Sequence, residues 1–349
     1  MQLNLSIQRN NPNLMLQAEK HIWRRRKDRK VLYSICHDSL TSLLSTDEFL
    51  DYAVELDHPL KFLGFSVKLM CCCDGLVCLW FHNRKRQFFC LWNPTTREYK
   101  ILPKSKIYQV CMVTLGYDYK SNTYKVLASS GSLFEVYSLG LKSWKSIENV
   151  PYEVYACNRP SGVLVNGNLH WLATKKGYSD VLVSLDISNE IFIEIEPPKE
   201  TYGLFYNLGT LEGCLCLLLF DDDDDHLNIW VMQNYVVQES WTKRFIVKHK
   251  QIVDDGNLRF MIWPFESGEV LIGSVTIGTA GLVVYDPDYE SVKEPNISSL
   301  FSHQQELYFE SLVSLESRTY VGEKNKMKNK KKPKLQRSPA VLFTEQVPN

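Results

Sequence analysis

The sequence predicts an all-β protein: a propeller-like array of about six antiparallel, four-stranded blades. Short apolar runs of strand length alternate with turn residues through most of the 349 residues. The same pattern recurs at steps of 45, 48, 45 and 55 residues between aligned positions. A period of about 40 to 50 residues, with several short strands in each unit, is typical of propeller blades.

The clearest unit is Cys71–Pro103. It opens with Asp74 and Gly75, a turn pair, because Gly tolerates the positive φ that a tight turn needs. Three runs of strand length follow, separated by polar or proline-containing segments: Leu76–Phe81, Phe88–Trp92 and Tyr99–Leu102. So few strands cannot bury both faces of a sheet by themselves, and we therefore expect further copies of the unit.

Four more copies follow along the chain. The aligned position near the end of one apolar run is Trp92, Tyr137, Leu185, Trp230 and Tyr285 in the five units. The opening turn recurs at Asp74-Gly75, Asn166-Gly167, Glu212-Gly213 and Ser267-Gly268, and the second unit opens at Leu115–Asp118 instead. Tryptophans also recur at repeat positions: Trp92, Trp144, Trp171, Trp230 and Trp241. Their periodicity favours core or inter-blade packing over a ligand-binding aromatic box.

Both ends of the array hold incomplete units. Val31–Ile35 reads as a strand in the N-terminal portion, which holds no complete unit, and Leu307–Tyr320, with the stretch Leu307–Leu315, reads as another partial unit at the C-terminal end. We expect these two ends to pair and close the ring, because closure removes exposed strand edges. The predicted organisation is an N-terminal extension at residues 1–30, the propeller at 31–321 and a disordered Lys-rich tail at 322–349.

The formal net charge of zero conceals an uneven distribution. Lys20–Lys30 holds seven basic residues and one acid, and Lys324–Arg337 holds eight basic residues and no acid. The rest of the chain has 25 Lys and Arg against 39 Asp and Glu, so it carries 14 net negative charges. That excess argues against nucleic-acid binding by the folded body.

The two basic segments have more than one interpretation. The stretch at Trp23–Lys27 is either a solvated loop or a nuclear-import or phosphate-binding patch. The tail is either inert or a nuclear-localisation signal.

The N-terminus and the cysteines predict a cytoplasmic or nuclear protein. The first residues are polar and lack the apolar core of a signal peptide, so the ten cysteines are expected to stay reduced. The longest apolar run, Cys214–Phe220, has seven residues. A membrane helix needs about 18, so the sequence predicts no membrane-spanning segment and no membrane partner.

Five cysteines stand close together in the first unit: Cys71, Cys72, Cys73, Cys78 and Cys90. They lack the C-x-x-C spacing of a metal site, and adjacent strand residues point to opposite faces. They are therefore predicted to pack as small apolar residues.

Two further groups have both a chemical and a structural interpretation. Asp221–Asp225 could hold Ca²⁺, but it fails the EF-hand pattern, which favours a solvated hairpin loop. His170 beside Trp171 favours packing over catalysis. H-E-x-x-H, G-x-S-x-G and glycine-rich phosphate motifs do not occur in the sequence. The sequence thus predicts no catalytic residue, no metal ligand and no cofactor.

Several ordered motifs resemble the F-box-associated domain of plant F-box proteins, including those of the F-box/kelch type. They stand at Cys73–Leu79, Trp92–Pro103, Gly116–Val126, Val165–Leu172 and Leu208–Leu217, and Val54–Leu60 fits the same family. The resemblance covers residues 2–315. It implies a domain that captures a substrate protein for a Skp–cullin–F-box (SCF) ubiquitin ligase, in ubiquitin-dependent degradation.

In that family an N-terminal F-box of three short helices docks on a Skp-type adaptor. The segment at Met1–Ser6 resembles the joint after the F-box, so we expect the F-box to be absent and contact with adaptor and cullin to require one supplied elsewhere. Two alternatives to the capture module remain: an F-box-less stand-alone or decoy binding protein, and a propeller hydrolase, which would need paired acids or a metal site. The loops His82–Arg86, Lys175–Ser179 and Asp221–His226 are candidates for variable contact surface, and the bound protein is not predicted.

Overall fold

The computed structural model contains six antiparallel sheets, which form the blades of a six-bladed propeller, as the sequence predicted. It describes residues 12–22, 27–42, 53–61, 63–154, 162–175, 179–201, 206–221, 226–248, 259–275, 280–293, 302–316 and 318–319. The predicted tail at 322–349 and most of the basic stretch at Trp23–Lys27 lie outside these residues.

The first blade joins the two ends of the chain. From the innermost strand outward it consists of β25 (Ser302–Tyr308), β1 (Asn13–Ile22), β2 (Lys27–Ile35) and β3 (Val54–Glu55), with helix α1 (His37–Ser42) between β2 and β3. β1 and β25 pair antiparallel, so the two ends of the chain close the ring as predicted. The N-terminal strand of that pair is β1, however, and Val31–Ile35 lies one strand further out, in β2. The closing strand, Ser302–Tyr308, begins ahead of the predicted partial unit at Leu307–Tyr320 and shares only its first two residues. β1 also places the first blade ahead of the predicted boundary at residue 31.

The other blades follow in chain order, each from its innermost strand outward. Blade 2 is β4 (Ser66–Cys73), β5 (Leu76–His82), β6 (Gln87–Trp92) and β7 (Glu98–Ile101), with β26 (Arg318–Thr319) paired outside β7. Blade 3 is β8 (Met112–Asp118), β9 (Thr123–Ser130), β10 (Leu133–Ser138) and β11 (Ser143–Ile147). Blade 4 is β12 (Tyr152–Glu153) and β13 (Val163–Val165), which share the same neighbour, then β14 (Asn168–Lys175), β15 (Ser179–Asp186) and β16 (Ile191–Ile195). Blades 5 and 6 are β17 (Tyr206–Leu211), β18 (Cys214–Asp221), β19 (His226–Met232) and β20 (Trp241–Lys248), then β21 (Arg259–Pro264), β22 (Val270–Val275), β23 (Ala280–Asp286) and β24 (Ser291–Lys293).

The turns between the first two strands of the blades follow from local chemistry. Asp74 and Gly75 have φ values of 48° and 78°, and the pairs that begin at Asn166 and Glu212 repeat this geometry. Two positive φ values in a two-residue loop define the hairpin turn whose twist matches the flanking strands. The turn pairs that the sequence singled out therefore lie at equivalent places in the ring.

The hydrophobic core lies between the blades. In the described part of the chain, six clusters of buried apolar residues each combine side chains of two neighbouring blades, one cluster for every junction around the ring. Neighbouring innermost strands also contact each other all the way round. Because both faces of a blade are covered, its strands are apolar at consecutive positions, as in Leu215–Leu219.

Candidate functional site

The propeller has two faces that carry different connections. The turn face carries the links from the innermost to the second strand of each blade and from the third to the outermost. The loop face carries the links from the second to the third strand and the links between blades. The three loops predicted as contact surface, His82–Arg86, Lys175–Ser179 and Asp221–His226, are second-to-third connections of blades 2, 4 and 5, so all three lie on the loop face. Residues 176–178 and 222–225 within them are outside the described residues.

The loop of blade 2 is the one described in full. Asn83 Oδ1 accepts hydrogen bonds from the backbone N–H groups of Lys85 and Arg86, both at 2.8 Å. The side chains of Arg84, Lys85 and Arg86 are exposed. This loop therefore presents three basic side chains from a turn that its own asparagine holds in shape.

A groove with a volume of about 1240 Å³ lies on the turn face between blades 2 and 3. Blade 2 contributes Asp74, Thr95 and Lys100; blade 3 contributes Tyr117, Asn122, Thr123, Tyr124, Leu139, Gly140 and Lys142. The third wall is the segment Phe309–Glu316, which follows the ring-closing strand β25 and which we call the strap. A cleft of about 450 Å³ lies at the corresponding place between blades 5 and 6, where the turns and strands of those two blades line it.

The strap crosses blade 2 from the centre of the ring to the outermost strand. Asn93 Nδ2 donates to the carbonyl oxygens of Ser311 at 3.0 Å and Val313 at 2.8 Å, and Glu98 accepts from Ser314 Oγ at 2.9 Å. The strap lies so close to Gly75 that a Cβ added to this residue would be 2.5 Å from the Ser311 side chain. Gly75 is thus required for the close approach of the strap as well as for its positive φ.

Two tyrosines of blade 3, Tyr117 and Tyr124, line the groove, and Tyr119 packs against the first of them. The ring of Tyr117 packs edge-to-face against Tyr124 at 4.9 Å and against Tyr119 at 5.0 Å between centroids. Tyr124 donates a hydrogen bond to Asp74 Oδ2 at 3.1 Å and so connects blades 2 and 3. Burial raises the pKa of the Asp74 carboxyl. Tyr119 at 72%, Leu141 at 79% and Leu312 at 84% are among the most exposed large apolar side chains in the described part of the protein, and all three lie in or beside the groove.

The charges of the groove are sorted along its length. Asp74 and Glu310 follow innermost strands and lie at the inner end, whereas Lys100 on the outermost strand and Lys142 lie at the outer end. Burial and the positive charge of Lys142 lower the pKa of Lys100, and Glu316 partly opposes that effect. The outer end therefore brings the ammonium groups of Lys100 and Lys142 together with the carboxylate of Glu316, while the nearby Glu98 carboxylate is already engaged by Ser314 and Leu315.

A buried ion pair accounts for one of the sequence motifs. Within Gly116–Val126, Lys125 Nζ lies 2.8 Å from Asp118 Oδ2 and donates to the carbonyl oxygen of Ile187 in blade 4 at 2.8 Å. Ser188 Oγ, also in blade 4, donates to Asp118 Oδ1 at 2.5 Å. Lys125 and three further hydrogen bonds hold the pKa of Asp118 far below its usual range, against the effect of burial. The motif thus links blades 3 and 4.

His170 occupies a second buried polar cluster. Its Nε2 lies 2.9 Å from the hydroxyl of Tyr235, which comes from blade 5, and that hydroxyl also lies 3.1 Å from Ser184 Oγ and 2.9 Å from Asn168 Nδ2. His170 is 0% exposed, and burial lowers its pKa to about 4. The imidazole is therefore neutral near pH 7 and connects blades 4 and 5.

The remaining sequence candidates are packed into the fold. Cys71, Cys73, Cys78 and Cys90 are buried, and burial raises the pKa of the Cys90 thiol well above its usual value. Among the described residues no group of three or more His, Cys, Asp or Glu side chains could hold a metal ion.

Two of the repeated tryptophans make equivalent contacts between blades: Trp144 Nε1 donates to the carbonyl oxygen of Pro103, and Trp241 Nε1 to that of Glu196, both at 2.9 Å. In the part that is described, no helix is long and apolar enough to cross a membrane.

Known proteins resemble this chain over most of its length. The model of a family described as the F-box associated beta propeller domain matches residues 22–322. The F-box protein CPR1 of Arabidopsis thaliana is 26% identical over 339 residues, which cover 86% of this chain and 78% of that protein. The F-box/kelch-repeat protein At3g23880 of the same plant is 33% identical over 185 residues, 49% of this chain and 50% of that protein. Among solved structures, a post-proline cleaving enzyme from Rickettsia typhi aligns with 84% of this chain over 55% of its own length, at 12% sequence identity and a TM-score of 0.44. This similarity is too low to bear on function.

Proposed function

This chain belongs to the F-box-associated β-propeller family, and we propose that it captures a substrate protein for an SCF ubiquitin ligase. The observation that carries the proposal is the family match over residues 22–322. Relatives that align with most or half of the chain are F-box proteins. The partners are then the captured protein and, through an F-box, a Skp-type adaptor with its cullin.

The architecture supports a binding role. The ring is closed by pairing between β1 and β25, and buried clusters join every pair of neighbouring blades in the described part. Such a ring is a rigid scaffold that holds surface turns and loops at fixed positions. The turn face adds a wide groove with exposed apolar side chains along it. Exposed apolar patches of this kind are typical of protein-binding surfaces.

We propose further that the chain binds its partner without converting it chemically. Two buried polar groups with strongly shifted pKa values already serve the fold: Asp118 is engaged by Lys125 and two serines, and His170 by Tyr235. The nine cysteines in the described ranges are unpaired, which suits the reducing cytoplasm or nucleus.

Adaptor binding and substrate capture can be tested separately. The purified chain is mixed with a Skp-type adaptor, with an F-box-fused version as the positive control. Binding by the chain itself would locate the adaptor site within its own residues, whereas binding by the fusion alone would show that capture and delivery reside on different segments.

The capture role is tested by proximity labelling with the chain in plant cells, followed by ubiquitination in vitro. We expect the F-box fusion, assembled with adaptor, cullin and RING subunit, to ubiquitinate the labelled protein. A fusion carrying an unrelated propeller is the control. The proposal fails if labelled proteins bind the chain directly but are ubiquitinated equally by both fusions, or if no protein is captured above the control.

A further inference from the structure

We propose that the groove between blades 2 and 3 binds an extended segment of the partner protein in which an acidic side chain stands beside a large apolar one. This inference rests on the proposed function and specifies its contact site. The groove lies on the turn face, opposite the loops that the sequence suggested as contact surface.

The size of the groove favours a peptide segment. Pockets for small molecules have volumes of about 300–1,000 Å³ and enclose most of the ligand. The groove has about 1240 Å³ and runs from the inner turn at Asp74 to the outermost strand at Lys100. A channel of this length, bounded on one side by the strap, fits an extended chain better than a compact ligand.

Apolar anchoring points lie along the groove. Leu312 lines it from the strap. Leu141 stands between the lining residues Gly140 and Lys142, and Tyr119 packs against the lining residue Tyr117. Each of these side chains is more than 70% exposed. Tyrosine and other large side chains account for much of the binding energy at protein interfaces, because they bury a large area with little loss of conformational freedom. An apolar side chain of the partner would therefore bury surface that is now in contact with water.

The charges determine which polar residue accompanies the apolar one. Among the described residues, no carboxylate oxygen lies within 4.0 Å of Lys100 Nζ or Lys142 Nζ. These two ammonium groups repel each other, and Glu316 offsets one of them. A carboxylate of the partner placed between them would relieve that repulsion. The acids Asp74 and Glu310 at the inner end disfavour a second carboxylate there, so the acidic residue is expected at the outer end.

The test uses a phage-displayed library of random peptides selected against the purified full chain. We expect selected sequences to carry Asp or Glu next to a large apolar residue. A double charge reversal, Lys100→Glu with Lys142→Glu, should weaken their binding by about tenfold or more, because attraction becomes repulsion. The matched control, Lys85→Glu with Arg86→Glu, makes the same change in net charge on the loop face of blade 2 and should leave affinity unchanged.

A second pair of variants tests the apolar part. Leu312→Ser removes the exposed leucine of the strap, and Ile193→Ser removes an exposed apolar side chain from the outermost strand of blade 4. We expect the first to weaken peptide binding and the second to have no effect. Thermal unfolding of each variant checks that the fold is intact.

The proposal is overturned if the selected peptides are basic, if they bind the Lys100→Glu/Lys142→Glu variant as well as the original chain, or if no peptide is enriched. These outcomes are distinct from failure of the proposed function. A chain that still labels and delivers a protein in cells, but does so equally well with both groove lysines reversed, is a capture module that uses another surface.

Discussion

Acid pH is expected to destabilise the propeller through His170. The imidazole is buried against Tyr235 and Ser184, and burial lowers its pKa to about 4. In an unfolded chain a histidine titrates near pH 6.5. Between these two pH values the unfolded state binds a proton that the folded state does not, so the free energy of unfolding falls as the pH falls.

The size of the effect follows from the difference between the two pKa values. A difference of about 2.5 units, at 1.36 kcal/mol per unit, gives about 3 kcal/mol. That loss should begin below pH 6.5 and be complete near pH 4, because below that value both states are protonated. Asp118 affects stability at lower pH than His170 does. Its pKa is lowered in the folded state, so its contribution to the free energy of unfolding is present above the usual pKa of a carboxyl group and is lost only at more acidic pH.

The assay is urea denaturation of the purified chain at a series of pH values from 8 to 4, with the free energy of unfolding taken at each. We compare the original chain with His170→Gln, which removes the titrating group and keeps a side-chain oxygen that can accept from Tyr235. Tyr235→Phe is the second variant; it removes the hydroxyl at 2.9 Å from Nε2 and should cost about 1–3 kcal/mol at pH 7. The difference between the original chain and His170→Gln should change by about 3 kcal/mol from pH 7 to pH 4. A difference that stays constant over this range would refute the reasoning.

Three further expectations concern contacts between blades and with the strap. Trp144→Phe and Trp241→Phe should each lower the free energy of unfolding by about 1 kcal/mol in urea denaturation, since each loses one equivalent hydrogen bond; a clear effect at one site alone would contradict their equivalence. Asn93→Ala should cost about 2–4 kcal/mol and speed hydrogen exchange in the strap, since it leaves two carbonyl groups unpaired, and unchanged exchange would contradict the anchor role. Lys125→Met should cost about 3–5 kcal/mol by calorimetry because it leaves the Asp118 carboxylate buried without its partner, and adding Asp118→Asn should recover part of that loss; no recovery would argue against a buried ion pair.

The blades could be predicted from the sequence because short-range chemistry specifies them. A turn such as Asp74-Gly75 requires two positive φ values, and residues that adopt them readily are few. The aligned positions precede another local signal: Asn93, Asp186 and Asp286 accept hydrogen bonds from backbone N–H groups two and three residues later. Because these contacts lie within a few residues of each other, they recur with the repeat and are visible in one sequence.

The groove could not be predicted in the same way, because it depends on contacts between distant residues. Leu307–Leu315 has the composition of a strand, yet the strand ends at Tyr308. The strap that follows is held by Asn93 and Glu98, more than 200 residues earlier in the chain. The exposed loops of the loop face, in contrast, have a clear polar composition that is visible in the sequence alone. The positive φ of Gly75 follows from the sequence pattern, but the close approach of the strap to this glycine depends on residues more than 200 positions away.

Because the strap forms one wall of the groove, peptide binding and strap docking are expected to be coupled. A ligand that contacts the strap only when it is docked stabilises the docked state by about 2.7 kcal/mol at a concentration of 100 times Kd. A selected peptide should therefore slow hydrogen exchange at Ser311, Val313 and Leu315, while exchange at Arg86 on the loop face stays the same. Conversely, Asn93→Ala should weaken peptide binding although Asn93 does not line the groove. If Asn93→Ala loosens the strap but leaves the peptide affinity unchanged, the strap is not part of the binding site, and the segment would instead serve only to secure the closed ring.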